Sequence, residues 1–195
     1  MVCGMNHLET YDEASADYFF TKGASIWGFA LWKRTYDLFY DFSYGQDNYS
    51  LNRLIENAKD YKRFQSSLVG YLKDKNYNGH PAGPEFYLGL TMFSQNQLNI
   101  VPKKNMVCNI GYGEGNTHFS DDIRKLPKAV QKMFNMKTYE IEMPIKHPKY
   151  MIEDKNYEKL LYRMMGRSMA VKISRRIEVL TRKLYYDTAK ILKNK

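Results

Sequence analysis

One glutamate, Glu85, stands where a carboxylate is suited to proton transfer. It follows Pro84 and begins the segment EFYLGLTMFSQN, which predicts a helix because proline suits the first helical position and a carboxylate suits the positive end of the helix dipole. A carboxylate held at a helix start beside Phe86 is preorganised and partly dehydrated, so Glu85 is a candidate general base. The alternative is that Glu85 only caps the helix.

The glycine-rich segment GYGEGNTH ends in a histidine, His118. A neutral imidazole on a loop can complete a metal shell begun by carboxylates, and backbone N–H groups at Gly111 and Gly113 can approach an anion such as a diphosphate. The alternatives are a hydrogen-bonded structural histidine and a plain turn between strands. His118 is therefore a candidate metal ligand, and the two glycines are candidate substrate contacts.

Two tryptophans and two cations stand close together in WGFALWKR. Indole rings offer faces for stacking, and an arginine binds paired oxyanions bidentately. The candidate substrate contacts of this segment are Trp27, Trp32, Lys33 and Arg34. The alternative is that the tryptophans belong to the core and the cations are solvated.

The elements expected to hold these residues are short. Residues 17–32 predict a strand, a loop and a second extended segment that enters a helix near Trp32 and runs through WKRTYDLFYDF. Ser50 predicts the cap of a helix over SLNRLIENAK, and a second helix follows over YKRFQSSLVGYLKD. LNIVP and MVCNIG predict short buried strands, and the alternation in TYEIEMPI predicts a half-exposed strand. The predicted fold class is α/β.

The charge excess of the chain is confined to its last part. Residues 1–154 hold 18 Lys and Arg against 18 Asp and Glu, whereas residues 155–195 hold 12 against 3. Residues 155–195 predict two helices with a break at Gly166. The second helix has one apolar stripe, formed by Met169, Ile173, Ile177, Leu180 and Leu184. This pattern is typical of a helix on an anionic membrane, and the alternatives are packing on the body or on a second copy of the chain.

Composition argues against several classes of protein. No run approaches the roughly 18 apolar residues of a membrane span, and the N-terminal sequence lacks the features of a signal peptide, so we expect a cytoplasmic protein. Cys3 and Cys108 form no CxxC motif, which favours packing roles over a disulfide framework or a zinc site. Because the excess charge is not spread over the whole chain, nucleic-acid binding is not expected.

Three longer segments carry a family pattern. They are WGFALWKRTYDLFYDF, GPEFYLGLTMFSQNQLNIVP and NMVCNIGYGEGNTHF. In this order they resemble a bacterial family of GT-A-type glycosyltransferases, the nucleotide-diphospho-sugar transferases also described as hemolytic-protein-like. The family has WGWATWKRAW followed by YD, then a helix beginning WDYQW and a strand of the LTIVP kind, then NLISNIGFG followed by ATHT. The resemblance covers roughly residues 3–120.

The resemblance implies roles for the candidate residues. Glu85 takes the place of the family's Asp and would be the catalytic base that removes the proton of an acceptor hydroxyl. Tyr87 takes the place of the family's Gln and joins the substrate-binding candidates. Members of the family hold a divalent metal with a DxD motif, which this chain lacks. Manganese or magnesium is therefore expected only where a DxD-bearing half is also present, with His118 as a ligand.

The resulting expectation divides the chain in two. Residues 1–150 resemble the acceptor-side, C-terminal portion of a GT-A fold, and residues 151–195 form a basic amphipathic helical tail. The expected function is sugar transfer from a nucleotide-sugar donor to a surface-polysaccharide or glycoconjugate acceptor, in the cytoplasm or peripherally at the inner face of the cell membrane. The alternative is a non-catalytic module, derived from such an enzyme, that binds a membrane or a partner. Homodimer formation stays open.

Overall fold

The computed structural model describes most of the chain. The described residues are 1–23, 25–38, 47–61, 64–65, 68, 84–110, 123–165 and 169–193. The strands among them are β1 (Val2–Cys3), β2 (Tyr18–Thr21), β3 (Phe29–Ala30) and β4 (Asn99–Pro102). The α-helices among them are α1 (Lys33–Tyr36), α2 (Asn48–Asn57), α3 (Pro84–Ser94), α4 (Lys128–Phe134), α5 (Lys155–Met165) and α6 (Met169–Lys193). Two short 3₁₀ helices cover Ala58–Asp60 and Ile123–Lys125.

The strands form one mixed sheet in the order β2-β4-β1-β3. β4 runs antiparallel to β2, where Phe20 lies opposite Ile100, and parallel to β1, where Val2 lies opposite Ile100. β3 lies at the other edge, antiparallel to β1. The combination of this sheet with helices is a mixed α/β structure, which confirms the predicted fold class at that level.

The main core lies between the sheet and α5. Its buried members are Met1, Cys3, Tyr11, Ala14, Phe19, Leu88, Met92, Val101, Tyr157 and Leu161. The ring of Tyr157 lies edge-on to Phe19 and Tyr11, with centroid distances of 4.8 and 5.4 Å. Burying one such large side chain contributes about 1.5–3 kcal/mol, so α5 is an integral part of the fold.

A second, smaller core joins α2 to α3. Its buried members are Leu54, Ala58, Tyr61, Leu68, Leu90 and Phe93. The rings of Phe64 and Phe93 stack with centroids 4.1 Å apart, and Tyr61 meets Phe93 edge-on at 4.8 Å. Aromatic packing therefore ties the chain that follows α2 to α3.

The starts of the helices test the predicted caps. α3 begins at Pro84, as predicted, and ends at Ser94. α2 begins at Asn48, and its cap is Asp47, whose carboxylate accepts the N–H groups of Tyr49 and Ser50 at 3.0 Å. The predicted cap at Ser50 is therefore wrong: Ser50 lies inside the first turn and donates its hydroxyl to Asp47. The hydrogen bond from the Ser50 hydroxyl, followed by those from the two backbone N–H groups, lowers the pKa of Asp47.

Of the later predicted strands, one is confirmed and two are wrong. LNIVP contains β4. Neither 106–110, from MVCNIG, nor 138–145, TYEIEMPI, contains a strand. The N–H of Met106 donates to the carbonyl of Gly4, and the N–H of Tyr139 donates to the carbonyl of Asn105. These are single hydrogen bonds and do not form the ladder of a sheet. Alternation predicts a strand only where a neighbouring strand is available to pair with it, and none lies alongside either segment within the described ranges.

The C-terminal part contains the two predicted helices, α5 and α6. The predicted break at Gly166 and most of the predicted helix over YKRFQSSLVGYLKD lie outside the described residues. The helix predicted near Trp32 begins at Lys33, and its continuation beyond residue 38 is also not described. Within the described ranges no helix has both the length and the apolar composition needed to cross a bilayer.

Candidate functional site

The first and third family-like segments meet at the edge of the sheet. Gly28 accepts a hydrogen bond from the N–H of Gly4 at 2.6 Å, and Met106 donates to the carbonyl of Gly4 at 2.9 Å. Gly28 has a φ of 59°, and a Cβ there would lie 2.7 Å from Cγ1 of Val107. Both the conformation and the close approach require glycine at this position.

The first segment also contacts the second. The hydroxyl of Thr35, in α1, donates to Oε1 of Gln97 at 2.7 Å. The hydroxyl of Thr91, in α3, lies 3.3 Å from the carbonyl oxygen of Leu38. Thr35 and Thr91 are buried, so these polar contacts are shielded from water. The three segments thus form one continuous region, in which the first segment, 27–42, is separated from the second and third, 83–102 and 105–119, by about 40 residues of sequence.

The two tryptophans of the first segment have different surroundings. Trp27 is half-buried, and its ring lies 5.7 Å from that of Phe134. Trp32 is 39% exposed, and the guanidinium carbon of Arg34 lies 5.5 Å from the centre of its ring. An arginine over one face of an exposed indole forms a cation–π pair and does not occupy the opposite face of the ring. Trp32 and Arg34 therefore offer a surface for a ligand, whereas Trp27 has a packing contact.

The other candidates of the first two segments are placed as follows. The ammonium of Lys33 is exposed and forms an ion pair with Asp37 at 2.7 Å. Glu85 occupies the second position of α3, as predicted, and its side chain lies outside what the structure describes. Tyr87 is buried in the same helix, beside the ring of Phe86 at 5.6 Å. Tyr87 thus lies on the side of α3 that packs against the rest of the protein.

The candidates of the third segment, Gly111, Gly113 and His118, lie outside the described residues. The residue that anchors this segment is Asn105, which is fully buried. Its amide group donates to the carbonyls of Val107 and Lys137 at 2.8 and 3.0 Å, and its side-chain oxygen accepts the N–H of Asn6 at 3.0 Å. Because all these partners are backbone groups, Asn105 sets the path of the chain that leads to the glycine-rich segment.

Asn6 is the second member of this buried network. Its amide group donates to the carbonyls of Pro102 and Lys103, each at 2.9 Å, and its side-chain oxygen accepts from the hydroxyl of Tyr157 at 3.2 Å. The hydroxyl of Tyr157 also accepts the N–H of His7 at 3.2 Å. Sequence reasoning missed this network, since an asparagine in a single sequence indicates a turn as readily as a buried amide.

A second group of polar residues surrounds Glu153, next to β2. Its carboxylate accepts a short hydrogen bond from the hydroxyl of Tyr61. Burial, followed by the contact with Glu153, raises the pKa of Tyr61. Nearby, Lys155 and Asp60 form an ion pair at 2.9 Å, and the hydrogen bond from Lys155 lowers the pKa of Asp60. Burial lowers the pKa of Lys22, and the Glu153 carboxylate opposes that shift.

A buried carboxylate, Glu158, lies against β2. Its Oε1 is 3.4 Å from the hydroxyl of Thr21, and a Cβ built on Gly23 would lie 1.5 Å from that same oxygen. Gly23 therefore provides the space that the carboxylate occupies. Neither residue was singled out from the sequence, where Gly23 reads only as a loop position.

The two cysteines have the predicted packing positions. Cys3 is in the main core, and burial raises its pKa to about 11, so its thiol stays protonated at neutral pH. Cys108 is half-buried, and its Sγ lies 3.1 Å from the carbonyl oxygen of Phe134. In the described part of the chain, no three His, Cys, Asp or Glu side chains come together in an arrangement that could hold a metal ion.

Comparisons with protein-family models, with curated proteins and with solved structures find no match for this chain.

Proposed function

We propose that this chain forms the acceptor-binding side of an enzyme that transfers a sugar from a nucleotide-sugar donor to a surface-polysaccharide or glycoconjugate acceptor. The observation that supports the proposal is the convergence of the three family-like segments. Gly28 contacts Val107, and Thr35 contacts Gln97, so residues that lie about 60 to 80 positions apart are adjacent. The proposal rests on this convergence together with the order of the three segments in the sequence.

The proposed acceptor contact is the pair of Trp32 and Arg34. An indole stacks on the C–H face of a sugar ring, and a neighbouring guanidinium donates hydrogen bonds to hydroxyl or phosphate oxygens. Glu85, at the start of α3, is the proposed general base for the acceptor hydroxyl. Gly111, Gly113 and His118 keep the roles that the resemblance implies, as contacts of the donor diphosphate and of its metal. The carboxylates that begin that metal site belong, in this proposal, to a DxD-bearing half.

Direct binding of acceptors tests the proposal. The purified chain is titrated with bacterial surface oligosaccharides, and binding is followed by saturation-transfer NMR. We expect binding that Trp32→Ala weakens by about two- to tenfold, because stacking on an aromatic ring supplies roughly 0.5–1.5 kcal/mol. The matched control is Trp27→Phe, which keeps an aromatic ring against Phe134 and should leave binding unchanged. Absence of glycan binding, or equal effects of the two variants, would contradict the proposal.

Turnover gives a second test. The chain alone should release no nucleotide from UDP-glucose, UDP-N-acetylglucosamine or GDP-mannose at ordinary enzyme rates, whereas the chain joined to a DxD-bearing half should do so. In such a complete enzyme, Glu85→Gln should lower kcat by about two to four orders of magnitude with little change in donor affinity, since the amide keeps the shape but accepts no proton. An unchanged kcat would return Glu85 to a capping role.

The second candidate function is the non-catalytic binding module. The observation that favours it is the exposed apolar surface of α6, which includes Ile177 and Leu184. A module of this kind binds its partner or membrane but binds no glycan. The glycan titration therefore separates the two functions.

A further inference from the structure

The apolar side of α6 faces away from the body, whereas an amphipathic helix on a protein surface is expected to turn that side toward the core. Its aliphatic stripe, formed by Ile173, Ile177, Leu180 and Leu184, is between 54% and 70% exposed. These side chains fall on one side of the helix because their spacings alternate between four and three residues. These four side chains therefore do not pack on the part of the body that the structure describes, and such packing was one of the alternatives left open by the sequence.

Charged side chains attach α6 to the body instead. Glu178 accepts the backbone N–H of Lys128 at 3.0 Å, and Arg182, which pairs with Glu178 within the helix, donates to the carbonyl of Arg124 at 3.3 Å. The ammonium of Lys125 forms an ion pair with Asp187 at 2.6 Å. At 100° per residue, Glu178 and Arg182 lie on the opposite side of α6 from the stripe. Asp187 lies instead on the flank of the stripe, where it is paired with Lys125, and the contact of Glu178 with Lys128 holds the helix with its aliphatic side outward.

The same contacts leave the outer surface of α6 basic. Residues 155–195 contain three acidic side chains, and all are engaged within the structure: Glu158 is buried, and the other two make the contacts just given. Lys172, Arg176 and Lys183 form a basic row along one flank of the stripe, and all three are exposed. The outer surface therefore combines an aliphatic centre with a positively charged flank.

The other flank consists of hydroxyl residues whose polarity is satisfied internally. Thr181 donates to the carbonyl of Ile177 at 2.9 Å, and Thr188 donates to the carbonyl of Leu184 at 2.7 Å. A threonine hydroxyl that bonds to its own helix has its donor satisfied without water. This flank is therefore compatible with an apolar surrounding.

We propose that α6 binds an anionic lipid surface, with the aliphatic stripe at the acyl boundary and the basic row among the phosphates. A second copy of the chain is a poorer occupant. In an antiparallel pair the two basic rows would face each other, and in a parallel pair each would face hydroxyls and form no ion pairs. The stripe also spans only about two heptads, whereas a coiled coil needs roughly three or four. This inference is independent of the proposed sugar transfer.

Co-sedimentation of the full chain with vesicles tests the inference. One set of vesicles is pure phosphatidylcholine, and the other contains about 30% phosphatidylserine. We expect binding to the anionic vesicles only, and a loss of binding between 0.1 M and 1 M NaCl because the screening length falls from about 10 Å to about 3 Å. Each basic residue near an anionic surface should contribute about fivefold to the partition coefficient.

Paired variants make the test specific to α6. Lys172→Gln, Arg176→Gln and Lys183→Gln together should weaken binding by about two orders of magnitude. The control replaces the exposed Lys132, Lys137 and Lys149 with glutamine and removes the same charge elsewhere. Likewise, the pair Ile177→Ser and Leu180→Ser should abolish binding. The control pair is Met151→Ser and Ile152→Ser, whose parent side chains are also exposed outside α6.

The possible results are distinct. Binding that is anion-dependent and lost only in the α6 variants supports the inference, provided that the far-UV circular dichroism of every variant is unchanged. Equal recovery in the supernatant with both lipids overturns it. Equal losses in the control variants overturn it as well, because binding would then follow net charge or general hydrophobicity. Self-association that the Ile177→Ser and Leu180→Ser pair abolishes, without vesicle binding, would assign the stripe to a second copy and also overturn it.

Discussion

Helices α5 and α6 follow each other in the chain and are both basic and amphipathic, yet they use their apolar sides in opposite ways. α5 buries Tyr157 and Leu161 in the main core. α6 leaves Ile177 and Leu184 exposed and contacts the body through charged groups. Two similar patterns thus give one helix that completes the fold and one that presents a surface.

The difference is explained by what each helix faces. α5 lies against β2 and the rings of Phe19 and Tyr11, which offer an apolar surface for Tyr157. α6 lies against the 3₁₀ helix Ile123–Lys125 and the start of α4. These elements offer cations and the backbone N–H of Lys128, which donates to Glu178. A helix packs against its neighbour with the side whose apolar groups the neighbour can bury or whose polar groups it can pair. The pattern of a helix therefore identifies its apolar side but not where that side will point.

The largest expected contrast is between leucines of the two helices. Leu161→Ala should lower the free energy of unfolding by about 2–5 kcal/mol, since it removes a fully buried side chain and leaves a cavity. Leu180→Ala, in the exposed stripe, should change it by less than about 0.5 kcal/mol. Urea denaturation of both variants measures the difference. Comparable losses would mean that α6 also packs into a core.

The next contrast concerns the fit of α5 on β2. Gly23→Ala should cost about 1–3 kcal/mol of stability, because the new Cβ would displace the carboxylate of Glu158. In a Glu158→Ala background the same substitution should cost much less, and the double-mutant cycle measures that coupling. Gly89→Ala is the matched control. Gly89 lies in α3, and its Cβ would lie 3.3 Å from the ring of Phe64. Because alanine also favours the helix over glycine, little change in stability is expected. Additive effects of the first pair would refute the contact.

A smaller effect is expected at the hydrogen bond that precedes α5. Tyr61→Phe removes the donor to Glu153 and should cost about 0.5–1.5 kcal/mol, whereas Tyr185→Phe, on the exposed surface of α6, should cost nothing measurable. Burial and Glu153 raise the folded-state pKa of Tyr61 above its usual value of 10.0. The contribution of Tyr61 is therefore complete below about pH 10 and lost as the pH rises beyond it. A stability difference between wild type and Tyr61→Phe that grows above pH 10 would contradict this assignment.

The smallest effect is expected at the ion pair between α6 and the body. The side chains of Lys125 and Asp187 are 20% and 55% exposed, so a double-mutant cycle to alanine should give a coupling of about 0.2–1 kcal/mol at low salt. The coupling should fall at 1 M NaCl because exposed charges are screened. A much larger coupling would mean that the docking of α6 is dehydrated and resembles that of α5.

Local signals predicted several elements correctly. Pro84 marks the start of α3, and the apolar run in LNIVP contains β4. The errors occur where the structure of a segment depends on a competing residue nearby or on a distant segment that must pair with it. Asp47 outcompetes Ser50 as the cap of α2, since its carboxylate accepts two N–H groups. The residues of TYEIEMPI alternate as a strand would, but no strand among the described residues lies alongside them.

The candidate site was predicted unevenly for the same reason. Residue type and spacing identified Trp32 and Arg34, which the structure places together on the surface. They did not identify the buried roles of Asn6 or Asn105, whose partners lie up to about 150 residues away. A buried amide is recognisable only by the backbone groups around it, and a sequence does not say which those are.

The sequence by itself determined the α/β class, the position of the basic helices and the stripe of aliphatic residues on α6, because these depend on composition and on periodicity within one segment. Only the tertiary structure decided that α5 points its apolar side inward and α6 points it outward. That choice depends on contacts such as Phe19 with Tyr157 and Lys128 with Glu178, which join residues about 50 to 140 positions apart. The residue pattern of a segment specifies the composition of each side of its helix, and long-range packing specifies which side contacts the rest of the protein.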